Sequence, residues 1–169
     1  MVDTPATRAA AEAGMNAQVV VTEVPRSVEE SAALQGIDVG RVLRTIVVRR
    51  GAGDFVFVLV PGGRQIDWKK LRTHLGRRRI SLPDADEAKA VTGYERGAIT
   101  PFGATTAWPV LADATIRGLG TVAIGAGARG VNLHVGDADL LTALAADEAD
   151  VTNPTDSAGD PGVATPSDA

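Results

Sequence analysis

Two apolar, β-branched runs, residues 42–49 (VLRTIVVR) and 55–60 (FVFVLV), are separated only by a short glycine-rich link, Gly51-Ala-Gly-Asp54. Runs of this kind around a short glycine-containing connection predict an antiparallel hairpin, and so commit the chain to a sheet. Short helices and strands are interspersed around it. Residues 5–15 predict a helix with Pro5 in its first turn and Gly14 as its stop, and residues 18–24 a strand. Ser27 and Glu30 have capping-box spacing and open a helix that Gly36 ends. Beyond the turn at Pro61-Gly-Gly63, Asp67 caps a short helix to His74, stopped at Gly76. Asp84 and Glu87 form the acidic first turn of a helix through Val91, stopped at Gly93. A loop over 94–107 leads to strands at 108–111, 121–124 and 131–135, and Asp137 caps a last helix to Ala146. Hairpins are more evident than βαβ units, so the expected class is α+β, with a mixed, barrel-like sheet flanked by helices.

Composition narrows the chemistry. With no cysteine, disulfides, thiol nucleophiles and Cys-based metal sites are excluded. His74 and His134 alone leave little room for a histidine-rich metal centre or a conventional triad, so neither metal nor cofactor is expected. The apolar runs are too short to span a bilayer, and an early acid with alternating alanine and charge is not a signal peptide. The expectation is a soluble cytoplasmic protein with no membrane partner, built as one domain over 1–150.

Residues 151–169 are rich in Pro, Gly, Ser and Asp and predict a disordered acidic tail. Asp156, Asp160 and Asp168 supply −3 of the net charge of −4, which leaves the body near neutral. Such a body does not coat nucleic acid non-specifically, although it can touch it locally. Lys69, Lys70, Arg77, Arg78 and Arg79 cluster, with Arg64 and Arg72, against the single acid Asp67. That cluster reads either as a solvated face or as an RNA contact.

Gly125-Ala-Gly127-Ala-Arg-Gly130 matches G-x-G-x-x-G, but the chain runs on into VNLHV, a strand. A dinucleotide site needs a helix to open there, so the motif reads as a hairpin turn. His134 shares a strand face with Asn132, opposite Val131, Leu133 and Val135. The bland reading is a partly exposed strand histidine, the alternative a pocket role; His74 belongs on the surface. Residues 92–103, TGYERGAITPFG, hold three glycines, a proline and two aromatics. Gly97 would let backbone N–H groups approach a ligand closely, and Pro101 would fix the loop's exit. N–H groups held in this way can stabilise a developing oxyanion. A simply packed loop remains the other reading.

The run TGYERGAITPFG resembles the signature loop of the YbaK/EbsC family, the ProX-type prolyl-tRNA editing domains. The likeness extends over residues 4–149. It takes in Thr4-Pro5-Ala6, Arg44-Thr-Ile-Val47 where the family has a Lys-Thr-Leu strand, Ala126-Gly-Ala-Arg-Gly130 with VNL, and Asp139-Leu140. The resemblance implies an α+β domain that hydrolyses the ester of mischarged tRNA(Pro), clearing Cys or Ala in trans. It implies no metal, no covalent nucleophile and no DNA partner, with prolyl-tRNA synthetase a possible associate.

Carried over, Gly97 and Pro101 would frame the carbonyl-binding loop, Arg44 would face the 3′-terminal nucleotide, and a water would attack. Thr45, Tyr94, Ala98, Ile99, Thr100, Phe102, Gly103, Gly130, Asn132 and His134 would surround the substrate. Position 44 is Arg where the family usually has Lys, position 98 is Ala where many members have Gly, and position 132 is Asn where Cys-specific members carry Asp. Those departures leave two other readings open: a non-catalytic tRNA- or protein-binding module on the same fold, and hydrolysis of another small acyl ester.

Overall fold

A computed structural model describes residues 2–155 of the chain. In chain order the elements are α1 (Pro5–Glu12), β1 (Gln18–Val21), α2 (Val28–Gln35), β2 (Val42–Gly51), β3 (Asp54–Pro61), β4 (Arg64–Ile66) and α3 (Trp68–Leu75). They continue with α4 (Ala85–Thr92), β5 (Val110–Asp113), β6 (Thr121–Gly125), β7 (Val131–Gly136), α5 (Asp137–Ala143), β8 (Asp147–Ala149) and β9 (Thr152–Pro154). The helix punctuation follows the sequence closely. Ser27, Asp67 and Asp84 each accept the N–H of the residue three further on, and Gly36, Gly76 and Gly93 end their helices in the left-handed region. Asp137 is an exception: Gly136 holds the N-cap position of α5, and the Asp137 carboxylate instead accepts the Gly118 N–H at 2.5 Å.

Seven strands form one mixed sheet in the order β1-β7-β6-β2-β3-β5-β8. β2 and β3 make the expected antiparallel hairpin, as do β6 and β7, whereas β2–β6, β3–β5 and β5–β8 are parallel. The sheet is open, with β1 and β8 at its edges, and does not close into a barrel.

Central β3 explains the continuous apolar run. Both of its faces are covered, so alternate residues enter two different cores. Phe55, Phe57 and Leu59 pack with Val122, Ile124, Leu133 and Leu140, while Val56, Val58 and Val60 pack with Leu71, Ile80 and Val151. Trp108 closes the first core, edge-on to Phe55 at 5.2 Å, with its indole N–H donating to the Val91 carbonyl.

Residues 151–155, expected as tail, belong to the folded domain. Val151 and Thr152 are fully buried, and β9 pairs antiparallel with β4, setting Ile66 opposite Thr152. Residues 156–169, the rest of that expected tail, lie outside the described residues.

Buried Asp113 fastens this return of the chain. Its carboxylate accepts the Val151 N–H at 3.1 Å and the Thr115 N–H at 3.1 Å. Burial alone pushes the Asp113 carboxyl up, but hydrogen bonds from Thr115 and Val151 outweigh it and hold the group below its ordinary value. A depressed carboxylate contributes stability above its unfolded pKa of about 3.9 and loses it as pH falls through the folded value. Asp113→Ala, which orphans the Val151 N–H, is therefore expected to cost about 1–3 kcal/mol at neutral pH. Urea melts should show that difference shrinking below about pH 4.

Candidate active site

The parallel contact between β2 and β6 lasts for two registered pairs, Val42–Ala123 and Leu43–Ile124. Beyond it, Arg44, Thr45 and Ile46 of β2 face Gly125, the glycine turn and Asn132 of β7 across an open cleft of about 450 Å³. The Gly97 loop and the start of α2 complete its walls. G-x-G-x-x-G is thus a hairpin turn, as its sequence context implied, and Ala128, Arg129 and Gly130 of that turn form part of the cleft.

Four arginines, Arg26, Arg44, Arg96 and Arg129, and no carboxylate among the described residues line the cleft, in a chain whose net charge is −4. Clefts lined by one sign of charge concentrate the opposite sign, here anions such as phosphate. The Arg44 guanidinium donates at 2.5 Å to the carbonyl of Arg64, a residue outside the cleft lining. Desolvation lowers its pKa and nearby Glu29 raises it, but an arginine stays charged at neutral pH. It therefore supplies a fixed positive charge and a planar fork of donors rather than an acid. Thr45 Oγ1 is buried beside it without a hydrogen-bond partner among the described residues.

Gly97 sits on the rim at φ +90°, a conformation that favours glycine. The Arg129 guanidinium lies over it, with Nε only 3.2 Å from where a Cβ would stand, and donates to the Arg96 carbonyl at 3.0 Å. Sequence reasoning passed over Arg129 because it sat in what read as a plain turn. Within the loop, the Ala98 N–H is committed to the Glu95 carbonyl at 2.9 Å. The N–H groups of Gly97 and Ile99, both cleft-lining residues, meet no acceptor among the described residues.

Several residues expected at the substrate turn inward instead. Tyr94 is buried and donates to the Phe102 carbonyl at 2.6 Å, while burial raises its pKa and keeps the phenol protonated. Thr100 is fully buried, with its hydroxyl accepting the Phe102 N–H at 3.3 Å. Ala98 and Phe102 are buried as well, and Gly103 packs against Pro5. Neither these residues nor Pro101 line the cleft; they shape the loop from behind. His134 also lies off the cleft, half-buried behind α2, and burial lowers its pKa.

The basic cluster stands away from the cleft. Lys70 pairs with Asp150 at 3.0 Å, Arg77 with Asp54 at 3.3 Å, and exposed His74 with Asp147 at 2.7 Å. Lys69, Arg78 and Arg79 are exposed and make no ion pair among the described residues.

A basic cleft edged by a loop with free backbone donors is the arrangement expected of a site that handles an acyl group on a nucleic acid. Residues 22–143 match the family described as the aminoacyl-tRNA editing domain. The chain belongs to that family and is an aminoacyl-tRNA deacylase by class. It is 26% identical over 126 residues to EbsC of Enterococcus faecalis, whose name gives it as a candidate Cys-tRNA(Pro)/Cys-tRNA(Cys) deacylase; the match covers 75% of this chain and 77% of EbsC. It is also 28% identical over 136 residues to the proline–tRNA ligase of Pelobacter propionicus, covering 80% of this chain but only 23% of the ligase. The chain thus spans about a quarter of that ligase. A crystal structure described as a candidate trans-editing enzyme for prolyl-tRNA synthetase superposes with a TM-score of 0.83 at 23% identity, covering 90% of this chain and 99% of that one. No helix among the described residues is long and apolar enough to cross a membrane.

Proposed function

We propose that the chain removes a wrong amino acid, cysteine or alanine, from tRNA(Pro), working in trans in the cytoplasm on acceptor ends misloaded by prolyl-tRNA synthetase. The observation that carries this reading is the meeting in one cleft of four arginines with Gly97 and Ile99, whose N–H groups meet no acceptor among the described residues. The name of EbsC, which gives Cys-tRNA(Pro), and that of the trans-editing structure, which gives prolyl-tRNA synthetase, support the tRNA(Pro) part of this reading. In this reading Arg44 engages the 3′-terminal nucleotide, and the Gly97 and Ile99 N–H groups hold the ester carbonyl. Preorganised donors of this kind stabilise the negative charge that develops on the oxygen as water adds to the carbonyl carbon. The bond from that carbon to the ribose oxygen then breaks, the ribose oxygen takes up a proton, and the free amino acid leaves. An ester is activated enough for this without a side-chain nucleophile. Asn132 lines the cleft where a carboxylate would add negative charge, and Lys69, Arg78 and Arg79 are proposed to meet phosphates further along the tRNA.

The test is a deacylation panel on the full chain, with Cys-, Ala- and Ser-tRNA(Pro) beside correctly charged Pro-tRNA(Pro). Loss of Cys or Ala with proline spared supports the proposal; a panel left intact, or proline removed as fast as the others, contradicts it. In the same assay Arg44→Ala is expected to lose at least about tenfold in kcat/KM, or about 1.4 kcal/mol of transition-state stabilisation. Arg44→Lys, which keeps the charge, should retain or raise the rate. Equal rates for Arg44→Ala and wild type would remove Arg44 from the site.

A further inference from the structure

Ser31 and Gln35 lie one turn apart on α2, on the same helix face. Ser31 forms part of the cleft wall and is only 8% exposed. Gln35 Nε2 donates to Ser31 Oγ at 2.8 Å, and Gln35 Oε1 stands 2.9 Å from Nε2 of His134 on β7. With the Gln35 amide in this orientation its oxygen accepts, and His134 donates the proton on its Nε2. The chain of bonds therefore has one direction, from His134 to Gln35 to Ser31. With the Gln35 amide already donating to its oxygen, the Ser31 hydroxyl has its own proton left to give, and it donates to no acceptor among the described residues. A buried hydroxyl whose donor capacity is unmet on a cleft wall is poised for a ligand acceptor.

We propose that Ser31 is a substrate-contacting residue, donating its hydroxyl proton to an acceptor atom of the aminoacylated terminal nucleotide, and that Gln35 and His134 are positioning residues that fix this polarity. The assignment rests on the function proposed above. It gives His134 a role at the site without contact with the substrate, and it deepens the specificity of the cleft beyond Arg44 and the loop.

The probe is 3′-deoxy-3′-(alanylamido)adenosine, an amide that binds without being hydrolysed, with adenosine as its comparison. Binding to the full chain is measured by calorimetry, with thermal melts checking that each variant is folded. Ser31→Ala is expected to weaken the probe roughly 3- to 10-fold, the value of one hydrogen bond. If adenosine weakens equally, the acceptor lies on the nucleoside; if only the amide weakens, it lies on the aminoacyl group. Gln35→Glu keeps the side chain's shape but removes its donor, so the Ser31 proton turns back to the new carboxylate and the same loss is expected. In a Ser31→Ala background, Gln35→Glu and His134→Ala should each add nothing, which separates action through Ser31 from charge repulsion or altered packing. Unchanged binding in folded Ser31→Ala, or losses that multiply in the double variants, would overturn the proposal while leaving the deacylase reading standing. A wild-type protein that binds neither probe would sink both.

Discussion

Gly97→Val is expected to abolish deacylation while leaving the protein folded. Gly97 is exposed and holds φ +90°, and the three atoms nearest an added Cβ all belong to the Arg129 side chain, the first at 3.2 Å. The folding penalty is therefore confined to the left-handed backbone and a displaced guanidinium, about 1–2 kcal/mol. The catalytic penalty is much larger. Relaxing φ swings the Gly97 N–H away from the cleft, and the branched side chain enters the space where the carbonyl must sit. Removing one oxyanion donor typically costs about 100- to 1000-fold, and here the cradle and its access are lost together. Single-turnover deacylation with circular dichroism on the same sample checks both halves. Full activity in the folded variant would show that this loop is not the carbonyl-binding element.

The second large effect falls on stability. At Gly103 an added Cβ would stand 2.5 Å from the Pro5 carbonyl oxygen and 2.8 Å from the Tyr94 hydroxyl, at φ +69°. Neither neighbour can yield cheaply, because one is backbone and the other is the phenol that holds the Phe102 carbonyl. Left-handed strain and overpacking together put Gly103→Ala at roughly 2–5 kcal/mol of destabilisation. For a domain of this size that lowers Tm by on the order of 5–15 °C. A thermal melt within a degree of wild type would mean that α1 does not clamp the loop as described. The two glycines of one segment are thus expected to fail differently, Gly97 in the proposed activity and Gly103 in the fold.

The contrast between those two glycines also marks what the sequence could disclose. Local signals were legible: the caps at Ser27, Asp67 and Asp84, the glycine stops and the β2–β3 hairpin all depend on residues within a few positions of one another. The unusual loop was legible too, because three glycines and a proline in twelve residues have few structural uses. What stayed hidden depends on distant partners. β4 and β9 are three residues each, too short for a period, and they pair across more than half of the described chain, so the tail seemed to begin at 151. Likewise, no spacing in the sequence connects Gln35 to His134, or Arg129 to the Arg96 carbonyl. Alternation placed His134 on the polar face of its strand but could not show that α2 lies there, between it and the cleft.

Thr100, Tyr94 and Phe102 show the converse error. The resemblance pointed to the loop as a whole, and proximity in sequence then suggested that all of its side chains face the substrate. A tight loop must bury some of them to hold its shape, and here the buried ones are the hydroxyl of Thr100 and both aromatic rings. Of this loop only Arg96, Gly97 and Ile99 line the cleft.

The most direct measurement is a crystal structure of the chain with 3′-deoxy-3′-(alanylamido)adenosine bound. The account predicts the amide carbonyl oxygen within hydrogen-bond distance of the Gly97 and Ile99 N–H groups, the nucleoside beside Arg44, and open space for a water on the free face of the carbonyl carbon. A carbonyl held by side chains, a side-chain oxygen such as that of Thr100 poised for attack, or the probe seated outside this cleft would contradict it.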